Sequence, residues 1–466
     1  MITQHDDICK QKISRIEKTN DRLTGRGGLA LFVRYLSGIG IYPLLERLFG
    51  GIRKSKKGVA VGNVFKQLFC FFLDGTSLAL SRFDDLSRDA GYIEIIENDQ
   101  ASMCSSHSIK RFFRSFSYVR VWLFRKVLQE LFIWRLRLLT PEVIILGIDT
   151  MVMDNSEAQK REGVKPTYKR GIKGFQPLQL TWRNYVIDAV FRGGSKHSNH
   201  GDTVVKMVEH IVRKIRRCYR EDVIIIVRCD SAFFDQVNFR AFEELKIGYI
   251  CGGKMFDDIK EYIRRVPRKD FGRYANKDNV WEYLEFEDRR GTWAKARRAI
   301  YLKPLCEARQ IVFEFARAET IIYTNLGVDE DLTEQFIEVG QESYLEVETI
   351  IETYHQRGND ELVHRALKDF GKEEMPFQRF ISNAAFYYTM LVAFFLYESY
   401  KEDVAQGIVE ARSYATTFRR VLVDFAARIV HTGGRVIMKV TEAVWEALNI
   451  VELWARCNSP PVIVFS

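Results

Sequence analysis

The stretches EVIILGIDTMVMD, at Glu142–Asp154, and DVIIIVRCD, at Asp222–Asp230, decide the fold of this chain. Each is a short apolar run rich in β-branched residues, which predicts a buried strand. Periodicity predicts two strands and a helix between these runs, then a helix and a strand after the second, at Leu178–Val186, Ile187–Arg192, Thr203–Arg217, Val237–Lys246 and Ile247–Cys251. This order of elements predicts an α/β fold with a mixed sheet.

Helical and β-rich regions flank the predicted sheet. Residues 1–140 show helical periodicity with almost no strand signal. Residues 255–325 are charged and aromatic with alternating stretches, which predicts a mainly β insertion. Helix is predicted again from Leu332 to about Lys401, and from Tyr414 to Arg456.

One helical segment combines positive charge with aromatic residues. Ile109–Lys126 carries Arg and Lys among aromatics at helical spacing, and it follows Ser105, Ser106 and Ser108, which are candidate N-caps. This pattern is typical of an amphipathic core helix and also of a helix that contacts nucleic acid. The sequence leaves both interpretations open.

The charge balance is modestly basic, with 70 Lys and Arg against 61 Asp and Glu and a net charge of +9. A single basic cluster is typical of a solvated helix face or loop. Several along one chain favour extended contact with a polyanion, because each phosphate contact adds affinity through counterion release. The basic clusters are Arg53–Lys57, Lys110–Arg120, Lys160–Lys173, Arg213–Arg220, Arg264–Lys269 and Arg289–Arg298.

No segment indicates export or a membrane span. The 8 cysteines are scattered without a C-x2-C pair, so we interpret them as reduced thiols rather than zinc ligands or disulfides. The N-terminus MITQHDDICKQK is polar, unlike a secretion signal. The apolar run Ala384–Tyr397 is shorter than the ~18 residues of a span and predicts a buried helix. We expect the protein to lie in the cytoplasm, which in a bacterium includes the nucleoid.

Two aspartates end the two defining strands. Asp149 and Asp230 each follow a buried apolar run, so both are expected at the carboxyl edge of the sheet, where open α/β sheets place their sites. An aspartate there can also simply cap a turn. Two of them in one predicted sheet of a basic chain favour binding of a hard cation such as Mg²⁺, which takes oxygen ligands.

A third acid lies in TYHQRGNDELVHRALKDF, at residues 353–370. On one helix, Tyr354, Arg357, Glu361 and Lys368 would project within an arc of roughly 60°. Glu361 could then hold metal while Arg357 and Lys368 bind phosphates.

Two alternatives to that arrangement stay open. A surface helix with ion pairs, such as Glu361 with Arg357 or Arg365, has the same spacing. Gly358-Asn359-Asp360 could also begin a new helix at Asn359 and take Tyr354 and Arg357 out of register.

Other motifs argue against other classes of enzyme. His197 and His200 lack Cys or carboxylate partners at metal-ligand spacing, so we interpret them as polar loop residues. The sequence has no Gly-rich phosphate loop and no G-x-S-x-G elbow, which argues against an ATPase or a serine hydrolase.

The segment with the third acid resembles a known signature. Tyr354, Arg357, Glu361 and Lys368 fill all places of the Y-x2-R-x3-E-x6-K motif of bacterial insertion-sequence DDE transposases. Asp149 in GIDT and Asp230 in RCDS resemble the first and second acids of that family. The Arg357-Gly358 pair is similar to the branch with RG in place of the commoner RW. Thr324-Asn325-Leu326 resembles the strand just upstream of the family's third acid. DDLSRD at Asp84–Asp89 is similar to the family's helical N-terminal region.

The resemblance implies an RNase H-like fold and a mechanism. Asp149, Asp230 and Glu361 would bind two Mg²⁺ ions, for which Mn²⁺ can substitute, and would catalyse cleavage and joining of DNA. Tyr354, Arg357 and Lys368 would bind DNA. The partners implied are double-stranded DNA, as transposon terminal inverted repeats and target, and a second copy of the chain on paired ends.

The resemblance also gives functions to the predicted regions. Residues 1–140 would form a helical DNA-binding region, 141–254 and 326–401 the two parts of the RNase H-like core, 255–325 the β-rich insertion carried by hairpin-forming members, and 402–466 a helical C-terminal region. Alternatives are an RNase H-like nuclease without strand transfer, a domesticated non-catalytic DNA-binding protein, and an RNA-binding or structural protein.

Overall fold

A computed structural model describes residues 15–52, 58–277, 279–307, 310–311, 319–410 and 413–465. The basic cluster Arg53–Lys57, Cys9 and the polar N-terminal segment 1–12 lie outside the described residues.

The N-terminal region is helical apart from one short strand, as its periodicity predicts. Its elements are β1 (Arg22–Thr24), α1 (Gly28–Ile39), α2 (Ile41–Phe49), α3 (Val61–Asp74), α4 (Arg82–Leu86), α5 (Ala90–Ile95), α6 (Ser106–Arg114) and α7 (Tyr118–Leu139). Ile109–Lys126 is therefore not one helix. The side chains of Ser105 and Ser117 each cap a new helix by accepting a backbone N–H, and the chain turns between α6 and α7.

The central sheet begins with the strand that contains Asp149. The next elements are β2 (Val143–Thr150), β3 (Met153–Asp154), β4 (Lys165–Pro166), β5 (Lys173–Phe175), β6 (Leu178–Trp182), β7 (Tyr185–Val190), α8 (Thr203–Cys218), β8 (Ile224–Cys229), α9 (Gln236–Glu244) and β9 (Gly248–Gly252). The boundary predicted at Val186–Ile187 falls inside β7, because β6 and β7 meet in a tight turn at Arg183-Asn184.

Strand order confirms the predicted mixed α/β fold. Along one part of the sheet the order is β9-β8-β2-β6-β7. β2, β8 and β9 run parallel, and β6 is antiparallel to β2 and β7. This arrangement is that of an RNase H-like sheet. Every residue of β8 is buried, as expected for a strand covered on both faces.

The region predicted as a β insertion continues the same sheet. It contains α10 (Asp257–Arg265), β10 (Gly272–Asn276), β11 (Asn279–Asp288), β12 (Arg297–Glu307), β13 (Gln310–Ile311) and β14 (Thr320–Thr324). β14 pairs with β9, and the order β10-β11-β12-β14 then extends the sheet outward. The strands predicted at Val280–Phe286 and Ala299–Leu302 are present within β11 and β12.

Helices follow the sheet and cover it. They are α11 (Glu330–Glu338), α12 (Val347–His355), α13 (Gly358–Phe370) and α14 (Phe380–Tyr400). α14 is apolar on all sides and nearly every residue is buried, which identifies it as a core helix. Within the described residues, Phe380–Ala405 is the one straight helix long and apolar enough to cross a membrane, and 94% of its apolar window is buried inside the protein.

The C-terminal elements are α15 (Ala415–Phe418), β15 (Ala427–Thr432), β16 (Arg435–Val440), α16 (Glu442–Ala447) and α17 (Ile450–Asn458). The prediction of helix from Tyr414 to Arg456 is wrong where β15 and β16 form a hairpin that pairs with β1. Gly433 and Gly434 both have positive φ, 55° and 73°, as the tight turn between two twisted strands requires.

Candidate active site

Asp149 and Asp230 lie side by side because of strand register. β2 and β8 are parallel, and Ile148 pairs with Cys229. The next residue after Ile148 is Asp149, and the next after Cys229 is Asp230. Neighbouring strands of a sheet lie ~5 Å apart. Asp230 ends β8 and caps the following turn, where its Oδ1 accepts the backbone N–H of Ala232 at 2.9 Å. The turn-capping role considered from the sequence is thus present at Asp230.

The Asp149 carboxylate is crowded by other acids. Its pKa is raised to about 7, mainly by burial and also by the charges of Asp230 and Glu361, while a hydrogen bond from the Thr150 backbone and the charge of Arg357 act in the opposite direction. The Thr150 N–H donates to Asp149 Oδ1 at 2.6 Å. The site therefore concentrates negative charge that the protein itself does not balance.

The His364 ring lies against the first acid. Its Nδ1 lies 3.5 Å from Asp149 Oδ2. Burial, followed by the charges of Lys368 and Lys169, lowers the His364 pKa to about 4, so the ring is neutral near pH 7. Its Nε2 is buried and has no hydrogen-bond partner among the described residues. Sequence reasoning missed His364, although its place three residues after Glu361 puts both on one side of a helix.

The segment with the third acid is two helices, not one. α12 ends at His355, a turn covers Gln356 and Arg357, and α13 begins at Gly358. The alternative raised by Gly358-Asn359-Asp360 is therefore the correct one, with the break a residue earlier than Asn359. Tyr354 and Arg357 reach the site from the end of one helix, and Glu361 from the first turn of the next.

Tyr354 and Arg357 still lie close to the acids. A Cβ atom on Gly252 would come within 2.5 Å of the Tyr354 hydroxyl and 3.1 Å of the Ser231 backbone nitrogen, so the phenol lies over the turn that follows Asp230. Burial lowers the Arg357 pKa, but Tyr354 and then the charges of Asp230, Glu361 and Asp149 raise it above its usual value. Both residues thus border the carboxylate cluster.

Glu361 forms a weak ion pair, whereas Lys368 forms a close one. The Glu361 side chain is 59% exposed, and its Oε1 is 3.5 Å from Arg357 Nη1, which is a weak ion pair. Lys368 Nζ lies 2.7 Å from Glu373 Oε2. Glu361 can therefore leave its partner at small energetic cost. A phosphate would have to compete with Glu373 for Lys368.

A buried ion pair fixes α13 against the sheet. Arg228, two residues before Asp230 in β8, donates to Asp360 Oδ2 from Nε at 3.1 Å and from Nη2 at 2.9 Å, and from Nη1 to the Thr353 carbonyl at 3.0 Å. Thr181 donates to Asp360 Oδ1 at 3.1 Å. A Cβ atom on Gly147 would come within 2.5 Å of Asp360 Oδ1, so only glycine allows this close approach.

That ion pair sets the position of the third acid. Asp360 immediately precedes Glu361, and Arg228 stands beside Asp230, so one buried contact couples the helix of one acid to the strand of another. Sequence reasoning missed both residues. The signal available was an arginine within an otherwise apolar strand, DVIIIVRCD, since a buried charge requires a partner.

The structure does not bring the three acids together as a metal-binding group. Within the ranges that the structure describes, no group of three or more His, Cys, Asp or Glu side chains is placed so that it could hold a metal ion, and Asp149, Asp230 and Glu361 therefore form an open arrangement. Asp149 and Asp230 adjoin through the sheet, and Glu361 contributes charge from the first turn of α13.

Comparison with known proteins gives the family. The family described as "Transposase DDE domain group 1" matches residues 7–458. No curated protein matches. Among solved structures, the cryo-EM structure of the piggyBac transposase synaptic complex with hairpin DNA is similar, with a TM-score of 0.39 and 12% identity, over 86% of this chain and 80% of that one. The family match covers nearly the whole chain, and the chain therefore belongs to group 1 of the transposases with a DDE domain.

Proposed function

We propose that this chain is a Mg²⁺-dependent transposase that cuts the terminal inverted repeats of its element and joins them to target DNA. The observation that carries the proposal is the parallel register of β2 and β8, which makes Asp149 and Asp230 neighbours. Family membership supports the same reaction class.

The donor set of the cluster fits Mg²⁺. This ion is held by one or a few carboxylates together with water and substrate phosphates, rather than by a cage made only of protein. An open cluster with a carboxyl whose pKa reaches about 7 has unbalanced charge that a divalent cation would neutralise. Asp149, Asp230 and Glu361 would hold two Mg²⁺, for which Mn²⁺ can substitute. When bound, the ions would supply activation of the attacking oxygen and stabilisation of the leaving oxygen.

The surrounding side chains would position DNA. Arg357 presents a planar guanidinium that matches phosphate oxygens, and Lys368 adds a point charge on the same helix as Glu361. Tyr354 places its hydroxyl beside the turn after Asp230. Neutral His364, with Nδ1 3.5 Å from Asp149 Oδ2, would donate a hydrogen bond to that carboxylate and so restrict its orientation.

We assign the broader partners by the same reasoning. Double-stranded DNA, as terminal repeats and as target, is the polyanion, a second copy of the chain would bind the paired end, and the nucleoid is the proposed location. The division into residues 1–140, 141–254, 255–325, 326–401 and 402–466 stays a proposal. The exposed cations of α6 support DNA contact by the first region, since Ile109, Phe112 and Phe113 occupy its buried face.

The test begins with the DNA that flanks the gene. Short inverted repeats there supply the substrate, which is incubated with a target plasmid and the protein in Mg²⁺ or Mn²⁺. Joined product from the wild type, absent with Asp149→Asn, supports the proposal. Cleavage without joining identifies an RNase H-like nuclease. Binding without cleavage, unchanged in Asp149→Asn and Glu361→Gln, identifies a domesticated DNA-binding protein.

A further inference from the structure

Most of the predicted basic clusters are partly occupied by contacts inside the protein. Ion pairs or backbone contacts engage Arg120 with the carbonyls of Gly51 and Ile52, Lys214 with Glu130, Arg220 with Glu142, Arg268 with Glu282, Arg290 with Asp288, Arg297 with Glu243, and Arg298 with Glu285. These side chains stabilise the fold, so sequence clusters alone overstate the surface available to a polyanion.

The hairpin of β4 and β5 is different. Its turn and flanks carry Lys165, Lys169, Arg170 and Lys173, and the sequence has no acid between Glu162 and Asp188. All four cations are exposed. Among the residues that the structure describes, none of them forms an ion pair with a carboxylate. The hairpin is therefore an uncompensated positive surface.

Buried hydrogen bonds tie this hairpin to the strand of the first acid. The Tyr168 backbone N–H donates to Gln176 Oε1 at 2.8 Å. Arg192 donates from Nε to the Gln176 carbonyl at 3.0 Å and from Nη2 to Thr150 Oγ1 at 3.2 Å. Thr150 follows Asp149, and Gln176 and Arg192 are buried. The position of Tyr168 is thus fixed relative to Asp149.

Tyr168 has an exposed ring beside the cluster. The residue is 61% exposed. Partial desolvation, and then the charges of Asp149, Asp230 and Glu361, raise the pKa of its phenol, so the ring lies within electrostatic reach of all three acids. Arg192 connects Gln176, which accepts the Tyr168 backbone N–H, to Thr150, the residue after Asp149. The hairpin tip is therefore held beside the strand end where a scissile phosphate would lie.

We propose that the hairpin Lys165–Phe175 is a second DNA contact, in which Tyr168 stacks on an unpaired base beside the scissile phosphate while Lys169 and Arg170 bind flanking phosphates. An exposed aromatic ring among cations is the combination that binds single-stranded nucleic acid, because every base offers a stacking face. The inference rests on the proposed function, since it requires DNA at the carboxylate cluster.

The test uses full-length protein with Asp149→Asn, which lacks one acid and so binds without cutting. The probe is a short duplex with one unpaired 2-aminopurine at a 3′ end, compared with the blunt duplex. We expect about tenfold tighter binding of the tailed duplex and quenched 2-aminopurine fluorescence. Adding Tyr168→Ala should remove both effects, and adding Tyr168→Phe should retain both.

The proposed phosphate contacts of Lys169 and Arg170 are tested by a separate measurement. Lys169→Ala and Arg170→Ala should each lower the salt dependence of affinity by the equivalent of about one phosphate contact. Lys206→Ala, in an exposed pair with Asp202 at the start of α8, is the matched control and should not. If the protein binds DNA but Tyr168→Ala leaves quenching unchanged, the inference is overturned and the proposed function stands. Failure to bind either duplex overturns both.

Discussion

The buried ion pair behind β8 and the carboxylate cluster at the strand ends use the same side-chain types with opposite results. Asp360 is buried and fully engaged by Arg228 and Thr181. Glu361, the next residue, is 59% exposed and meets Arg357 only at 3.5 Å. A carboxylate matched by a guanidinium holds the structure, whereas carboxylates left to repel one another keep a place for a cation.

The largest expected effect separates catalysis from folding at Glu361. Glu361→Gln should lower DNA cleavage by at least about a thousandfold, because several kcal/mol of transition-state stabilisation depend on the ions that it would hold. Its melting temperature should stay unchanged, since the side chain is exposed and weakly paired.

The control for that variant is Glu338→Gln, an exposed glutamate on α11. Cleavage and melting should both match the wild type. Full cleavage by Glu361→Gln would show that Glu361 is not the third acid. The structural role of the Arg228–Asp360 ion pair would then stand without its catalytic counterpart.

Asp360→Ala should have the opposite signature. It leaves Arg228 buried without its partner, which costs about 3–5 kcal/mol of folding free energy. Urea denaturation measures the loss. The double variant Arg228→Met with Asp360→Leu should recover most of it, because paired apolar side chains avoid the buried charge. Equal stability of Asp360→Ala and wild type would contradict the role given to this pair.

These paired residues show what sequence could and could not predict. Periodicity predicted β2, β8 and the aspartates at their ends, because buried strands carry their own apolar signal. It did not predict that Arg228 meets Asp360, since such a contact depends on how a distant helix packs across the sheet. The sequence leaves the break between α12 and α13 open, because Gly358 permits it and residue spacing alone fits one helix as well as two.

The C-terminal hairpin teaches a different lesson. The sequence has β-branched residues on both sides of Gly433-Gly434. The short apolar stretches there also fit a helical pattern. In the folded chain they are strands, and Ile429 of β15 pairs with Arg22 of β1, which is 429 − 22 = 407 residues earlier. Long-range pairing thus overrides a local pattern that is ambiguous.

The pH dependence of the unfolding free energy gives a third test, with a smaller expected effect. The Asp149 pKa is about 7 in the folded chain, against ~3.9 when unfolded. At this carboxyl the folded state therefore binds more protons between these values, and the contribution of Asp149 to the unfolding free energy of the metal-free protein falls as pH rises from about 4 to 7. Asp149→Asn should remove this fall and, above pH ~7, be more stable than wild type by on the order of 3 kcal/mol.

Thermal or urea unfolding across that pH range, in chelator, measures the difference. Mg²⁺ should stabilise the wild type above pH ~7 and stabilise Asp149→Asn much less. A pH profile of stability shared by both proteins would mean that the carboxylate cluster is not under repulsion, and the contrast with Asp360 would lose its basis.

The smallest effect concerns Lys368, which belongs to both sides of the comparison. Its ion pair with Glu373 is partly exposed, and such pairs contribute up to about 1 kcal/mol. Glu373→Gln should release Lys368 and tighten DNA binding by up to about fivefold, measured by fluorescence anisotropy at fixed salt. Lys368→Ala should weaken binding, and combining it with Glu373→Gln should abolish the gain. A gain that survives in the double variant would show that Glu373 repels DNA directly and that Lys368 is a structural partner.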